Sequence, residues 1–130
     1  MFEWKDEYVV GIDNIDEQHK KIFEIAARAY SLLNNDFYVD KYDKIVAILG
    51  ELRDYTIFHF SCEEEYMLKI GYKRFFAQKV EHDDFTKKLI DKDLNKIDKD
   101  QDAYIIEIIE LVTEWLAEHI LIKDKLINTL

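Results

Sequence analysis

Four histidines, His19, His59, His82 and His119, are spread along this chain, each at a place where the spacing of its neighbours asks for an inward-facing apolar residue. Imidazoles brought together with a carboxylate can grip a metal ion. His59 and Glu63 are four residues apart, which on a helix puts imidazole and carboxylate on one face, one turn apart. A solitary pair of this kind is usually just a solvated surface. Here Ile45, Leu52 and Tyr55 turn the same face towards a core, where an unpaired carboxylate would cost on the order of several kcal/mol without cations or donors beside it. Imidazole with carboxylate and no usable thiolate suits iron, manganese or zinc. Cys62 falls off the His59–Glu63 face and reads as a small apolar residue. Gln78 lies between Phe75 and His82 on an inward stripe, so it too points at the centre.

The elements that must position these groups are helical. Ile15, His19, Ile22, Ala26, Tyr30 and Leu33 recur every three or four residues, with Asp13 or Asn14 able to cap the start and Asn34-Asn35-Asp36 marking the end. Asp40 opens a second stripe through Ile45, Ile48, Leu52, Tyr55, His59, Glu63 and Tyr66, closed at Ile70-Gly71-Tyr72. A third carries Phe75, Gln78, His82, Phe85 and Leu89, then gives way to the charged stretch from Asp91 to Lys96, which suits a solvated connection. Asp98 or Asp100 restarts the chain for a fourth stripe through Ile105, Ile108, Val112, Trp115, His119, Ile122 and Leu126. The expectation is an all-α fold, an antiparallel up-down-up-down four-helix bundle with helices at about 14–34, 41–69, 73–91 and 100–127. Residues 1–12 lack a helical period and read as an irregular N-terminal arm laid against the bundle.

Composition narrows the function. A chain of 130 residues with 48% hydrophobic residues is read as one domain over 1–130 with a packed core. It has no proline and three glycines, too few breakers for many strands and turns. A net charge of −10 repels phosphate backbones and anionic lipid, so neither nucleic acid nor membrane is an expected partner. The opening residues lack a basic region followed by a long apolar run, and charges interrupt every apolar stretch, so a cytoplasmic protein is expected. No feature names a protein partner.

Taken in order, Trp4, Val10-Gly11-Ile12, Ile15-Asp16-Glu17-Gln18-His19, His59-Phe60-Ser61-Cys62-Glu63-Glu64, Gly71-Tyr72, Glu81-His82, Trp115-Leu116, His119-Ile120 and Asp124 resemble the hemerythrin family, in its bacterial single-domain form. The resemblance runs from the arm to the last helix. It implies two iron ions, Fe2+/Fe3+, joined by an oxo or hydroxo bridge and by two carboxylates, here Glu63 and Asp124. His19 and His59 would hold the iron with an open position. His82 and His119 would belong to the other. O2 would be the ligand, bound as hydroperoxide, and the role would be oxygen carriage, storage or delivery rather than catalysis. Trp115 and Leu116 would line the pocket over the oxygen-binding iron, with Phe23 contributing, although ordinary core packing accounts equally well for Trp115. Asp16, Glu17 and Gln18 could orient ligands, but are read as mostly solvated.

Two positions strain the pattern. Asp124 is five residues past His119, about 140° round a regular helix, so a long reach or a local distortion is required. Gln78 stands where the family has a further histidine on the three-histidine iron. It could coordinate through its carbonyl oxygen, leave a vacancy for water, or let the iron be lost. A second open position is the geometry of a di-iron redox enzyme, oxidase or peroxidase-like, which is the alternative function. A metal-poor sensing or interaction module is the second alternative.

Overall fold

A computed structural model describes residues 4–35, 37 and 39–124, with the side chains of 116, 117 and 121–123 outside that description. Helices α1 (Asp13–Leu33), α2 (Tyr42–Ile70), α3 (Phe75–Ile90) and α4 (Gln101–Glu118) form the antiparallel four-helix bundle. α1 packs against α2 and α4, and α2 against α3. The fourth helix does not run on as α-helix to 127. It gives way to a π-helical turn, His119–Asp124, and 125–127 lie outside the described residues. No helix among the described residues is long and apolar enough to cross a membrane.

Burial follows the predicted period, shifted by a residue in places. On α2 the buried row is Ile45, Leu49, Leu52, Thr56, His59, Glu63 and Met67, while Ile48, Tyr55 and Tyr66 flank it half-buried. On α1 the row ends in Ala29 and Leu32 rather than Tyr30 and Leu33. On α3 the buried row is the expected one, Gln78, His82, Phe85 and Leu89.

The helix ends are set by local chemistry. Gly71 takes φ 66° at the end of α2, and the backbone folds back so that the Tyr72 amide donates to the Met67 carbonyl at 2.9 Å. Only glycine enters that left-handed region without a steric penalty. Asp40 accepts from the Tyr42 amide at 3.0 Å and Asp100 from the Ala103 amide at 3.0 Å, so both open their helices as expected. Neither Asp13 nor Asn14 caps α1, since its cap is Ile12, with no side-chain hydrogen bond. The third connection is solvated from Asp91 to Lys96, as expected. Leu94–Lys99 is a 3-10 helix, and Ile97 is buried in the core from it.

The arm is tied down by Asp16, buried rather than solvated, whose carboxylate accepts from the Val10 amide at 2.7 Å and the Gly11 amide at 3.1 Å. Gly11, at φ 94°, turns the arm so that both amides face one carboxylate. Tyr8 stacks on Phe23 with ring centroids 5.1 Å apart, and Trp4 meets Phe23 edge-on at 5.5 Å. The short 3-10 turn Asp6–Tyr8 packs in turn against the π-helical turn. Asp16→Ala should therefore cost about 1–3 kcal/mol, the penalty of stranding a buried donor, and speed hydrogen exchange at the Val10 and Gly11 amides. Unchanged exchange at those two amides would show that the clamp does not hold the arm.

Candidate metal centre

Three helices and the π-helical turn each deliver donors to one place. His19 comes from α1, His59 and Glu63 from adjacent turns of α2, His82 from α3, and His119 and Asp124 from the two ends of the π turn. All six are at most 3% exposed. A π turn hydrogen-bonds i to i+5, one residue more per turn than an α-helix, which brings the fifth residue round to the starting face. This is the local distortion that the His119–Asp124 spacing requires.

The two carboxylates sit between the imidazoles, one oxygen to each side. Glu63 Oε2 is 3.3 Å from His59 Nε2 and 3.7 Å from His19 Nε2. Its Oε1 is 3.1 Å from His82 Nε2 and 3.8 Å from His119 Nε2. Asp124 divides likewise, with Oδ2 3.2 Å from His19 Nε2 and Oδ1 3.0 Å from His119 Nε2. Two metal-capable groups result, His19, His59, Glu63 and Asp124 in one, and Glu63, His82, His119 and Asp124 in the other. They share both carboxylates.

His82 Nε2 lies within hydrogen-bond distance of Glu63 Oε1 and of His119 Nε2, 3.1 Å from each, but the other donor atoms fit cations better than they fit each other. Nε2 of His19 and of His59, Oε2 of Glu63 and both carboxylate oxygens of Asp124 are buried and lack a hydrogen-bond partner among the described residues, close as they are. Buried polar atoms are almost always satisfied. Atoms this near one another that nonetheless miss hydrogen-bond geometry are aimed at shared points rather than at one another, as ligands to paired metals would be.

The far sides of three rings are held by residues next to ligands in sequence. His59 Nδ1 donates to Gln18 Oε1 at 2.8 Å, His82 Nδ1 to Glu64 Oε2 at 2.8 Å, and His119 Nδ1 to Glu81 Oε2 at 2.9 Å. A proton fixed on Nδ1 leaves the Nε2 lone pair facing inward. Gln18 is thus an orienting residue and not a solvated one, whereas Glu17 is exposed. Sequence reasoning assigned no such role to Glu64 or Glu81. The available signal was their adjacency to Glu63 and His82, about 100° round the helix and so towards a neighbouring one.

The aromatic residues pack closely on the ligand rings and on the arm. Trp115 stacks on His119 with centroids 4.4 Å apart and on Phe85 at 4.2 Å, and Phe60 stacks on His82 at 3.9 Å. Trp115 therefore packs against the His82/His119 half. Phe23 packs on Trp4 and Tyr8 and so helps anchor the arm. The Leu116 side chain lies outside the described residues. Cys62 is a half-buried free thiol.

Burial alone would push all four imidazoles towards neutrality, and His59 does fall below its usual value. For His19 burial is outweighed by Asp124 and Glu63 beside it, which lift it from 6.5 to about 9. His119 is lifted likewise, by Asp124 first and then Glu63, from 6.5 to about 10. Burial would raise Glu63, yet the surrounding imidazoles hold it well below the ordinary carboxylate value of 4.5. In the metal-free chain, protons supply the positive charge that cations would otherwise bring.

A four-helix bundle with two overlapping histidine-carboxylate groups in its interior is a recognised architecture for paired metals. The chain belongs to the hemerythrin family: the Hemerythrin HHE cation binding domain matches residues 10–130. It is 55% identical over 125 residues to a bacteriohemerythrin of Clostridium acetobutylicum, covering 96% of this chain and 97% of that one. It is 32% identical to a bacteriohemerythrin of Stenotrophomonas maltophilia, covering 90% and 72%. A hemerythrin-like protein of Naegleria gruberi is 29% identical, with 92% and 84% covered.

Two outcomes follow from the charges. Raised folded values mean that His19 and His119 stabilise the metal-free fold fully below pH 6.5, and that this contribution is lost as pH climbs through about 9 and 10. The unfolding midpoint of metal-free protein should fall over that alkaline range. Metal must displace these two protons, and Glu63 and Glu64 raise His82 as well despite its burial, so uptake at pH 7 should release two or more protons per chain, measurable by calorimetry in buffers of different ionisation enthalpy. A flat alkaline profile together with no proton release would contradict the assignment.

Proposed function

We propose that this protein binds O2 reversibly at two non-haem irons, one held by His19 and His59, the other by His82 and His119, with Glu63 and Asp124 shared between them. The observation that carries the reading is that sharing: each carboxylate presents one oxygen to each pair of histidines. When bound, a pair of irons cycling between the ferrous and ferric states supplies the two electrons that reversible O2 binding takes up and returns.

The chain's own contribution is order and dryness. Gln18, Glu64 and Glu81 keep three rings in one tautomer and orientation, so the site needs little rearrangement to accept its ions. Phe60, Phe85 and Trp115 form an apolar wall against His82 and His119. On the other half the His19 and His59 rings meet edge to face, centroids 4.5 Å apart. A buried site of this kind limits the access of water and protons, and separating charge in it is costly, which favours release of neutral O2 over loss of a reduced product.

The test is to load the protein anaerobically with ferrous iron, count iron per chain, and admit O2. Two irons per chain and a visible charge-transfer band that vanishes on deoxygenation, over repeated cycles, are expected. A band that bleaches to a ferric product consuming O2 would instead show a redox enzyme. Protein that takes up less than one iron per chain would show a binding module. Glu63→Gln removes the shared charge, and bound iron should fall from about two to less than one per chain, whereas His119→Ala should spare the His19/His59 ion.

A further inference from the structure

We propose that Gln78 leaves the His82/His119 metal with a place for a small exogenous anion, hydrogen-bonded by the Gln78 amide, so that the centre takes such a ligand at both metals rather than at one. The inference rests on the two-iron reading above.

Each metal-capable group contains two imidazoles and the same two shared carboxylates, so the halves are chemically equal. Non-haem iron with so few protein donors keeps positions open to added ligands. An imidazole at position 78 would have filled one of them on the His82/His119 side.

Gln78 is no neutral filler. It is buried, 3% exposed, one turn before His82 on the same face of α3. Neither its amide nitrogen nor its amide oxygen has a hydrogen-bond partner among the described residues. An amide left unmet at both ends is a standing cost to the fold, and buried polar groups are rarely left so without another task. A neutral amide oxygen is a weaker ligand for iron than imidazole, and an anion displaces it readily. The freed amide can then turn its N–H to that anion, which a metal-bound imidazole could not do.

A cleft of about 110 Å³ between α2 and α3, lined by Phe60, Glu64, Lys79, His82, Asp83 and Thr86 among others, approaches the centre from the outer side of His82, where Glu64 holds its Nδ1. Lys79, half-exposed, puts a cation at this cleft, 3.4 Å from Glu64 and 3.0 Å from Asp83.

The probe is azide, titrated by calorimetry and by its charge-transfer absorption into oxidised, iron-loaded protein whose iron content is measured on the same sample. Wild type should bind two azides per chain and Gln78→His one, with two irons in each. Gln78→Leu keeps the place but removes the donor, so one azide should bind about tenfold more weakly, the size of a single hydrogen bond, and the other unchanged. Two irons with one azide in both wild type and Gln78→His would overturn this proposal alone. Fewer than two irons in wild type would overturn the two-iron reading and this proposal with it. If Gln78→His does not fold, Gln78→Leu decides, and unaltered affinity at both positions refutes the role given to the amide.

Discussion

A carboxylate sealed inside a protein must meet positive charge, and this bundle seals two of them, Glu63 and Asp124, among four imidazoles. Much else in the structure answers that demand. Without cations, His19 and His119 hold protons far above the usual imidazole range, because the cost of burying them is outweighed by the carboxylates they face. Gln18, Glu64 and Glu81 then fix Nδ1 of His59, His82 and His119 from outside. A polar cluster of this kind is destabilising unless every member is matched, which is why donors come from every side of the bundle instead of from one helix.

Geometry is the second half of the constraint. Two carboxylates can be shared between two sites only if each faces both pairs of histidines, and a regular α-helix cannot turn both His119 and Asp124 inward. The π-helical turn resolves this by adding a residue to one helical turn. Such a turn has little intrinsic stability and needs support from tertiary contacts. The arm provides some of it: Asp6–Tyr8 lies against the turn, Tyr8 and Trp4 pack on Phe23, and Asp16 clamps Val10 and Gly11. The arm is thus linked to the position of Asp124, although it carries no donor itself.

The helices and the four histidines could be read from spacing alone, because a 3.6-residue period is a local property. His59 and Glu63 needed only one turn of helix to be paired. What escaped was set by contacts between distant parts of the chain. Thr56, rather than Tyr55, occupies the α2 seam because neighbouring helices decide which row lies deepest. Ile97 is buried just beyond a charged stretch that is itself solvated. Asp16 reads as a surface acid until the arm folds back over it, and Trp115 sits one turn before His119 in a way that does not tell which half it covers. Asp124 was out of reach for regular periodicity, and only the family resemblance singled it out. Gln78 was legible as an inward residue, but its unmet amide required coordinates.

The most direct measurement of the shared-carboxylate centre is anomalous difference density at the iron edge from crystals of the iron-loaded protein. The structure predicts two peaks, about 4 Å apart or less as in other two-metal sites, each bordered by oxygens of both Glu63 and Asp124. A single peak, or a pair of peaks of which either fails to touch Asp124, would contradict the account.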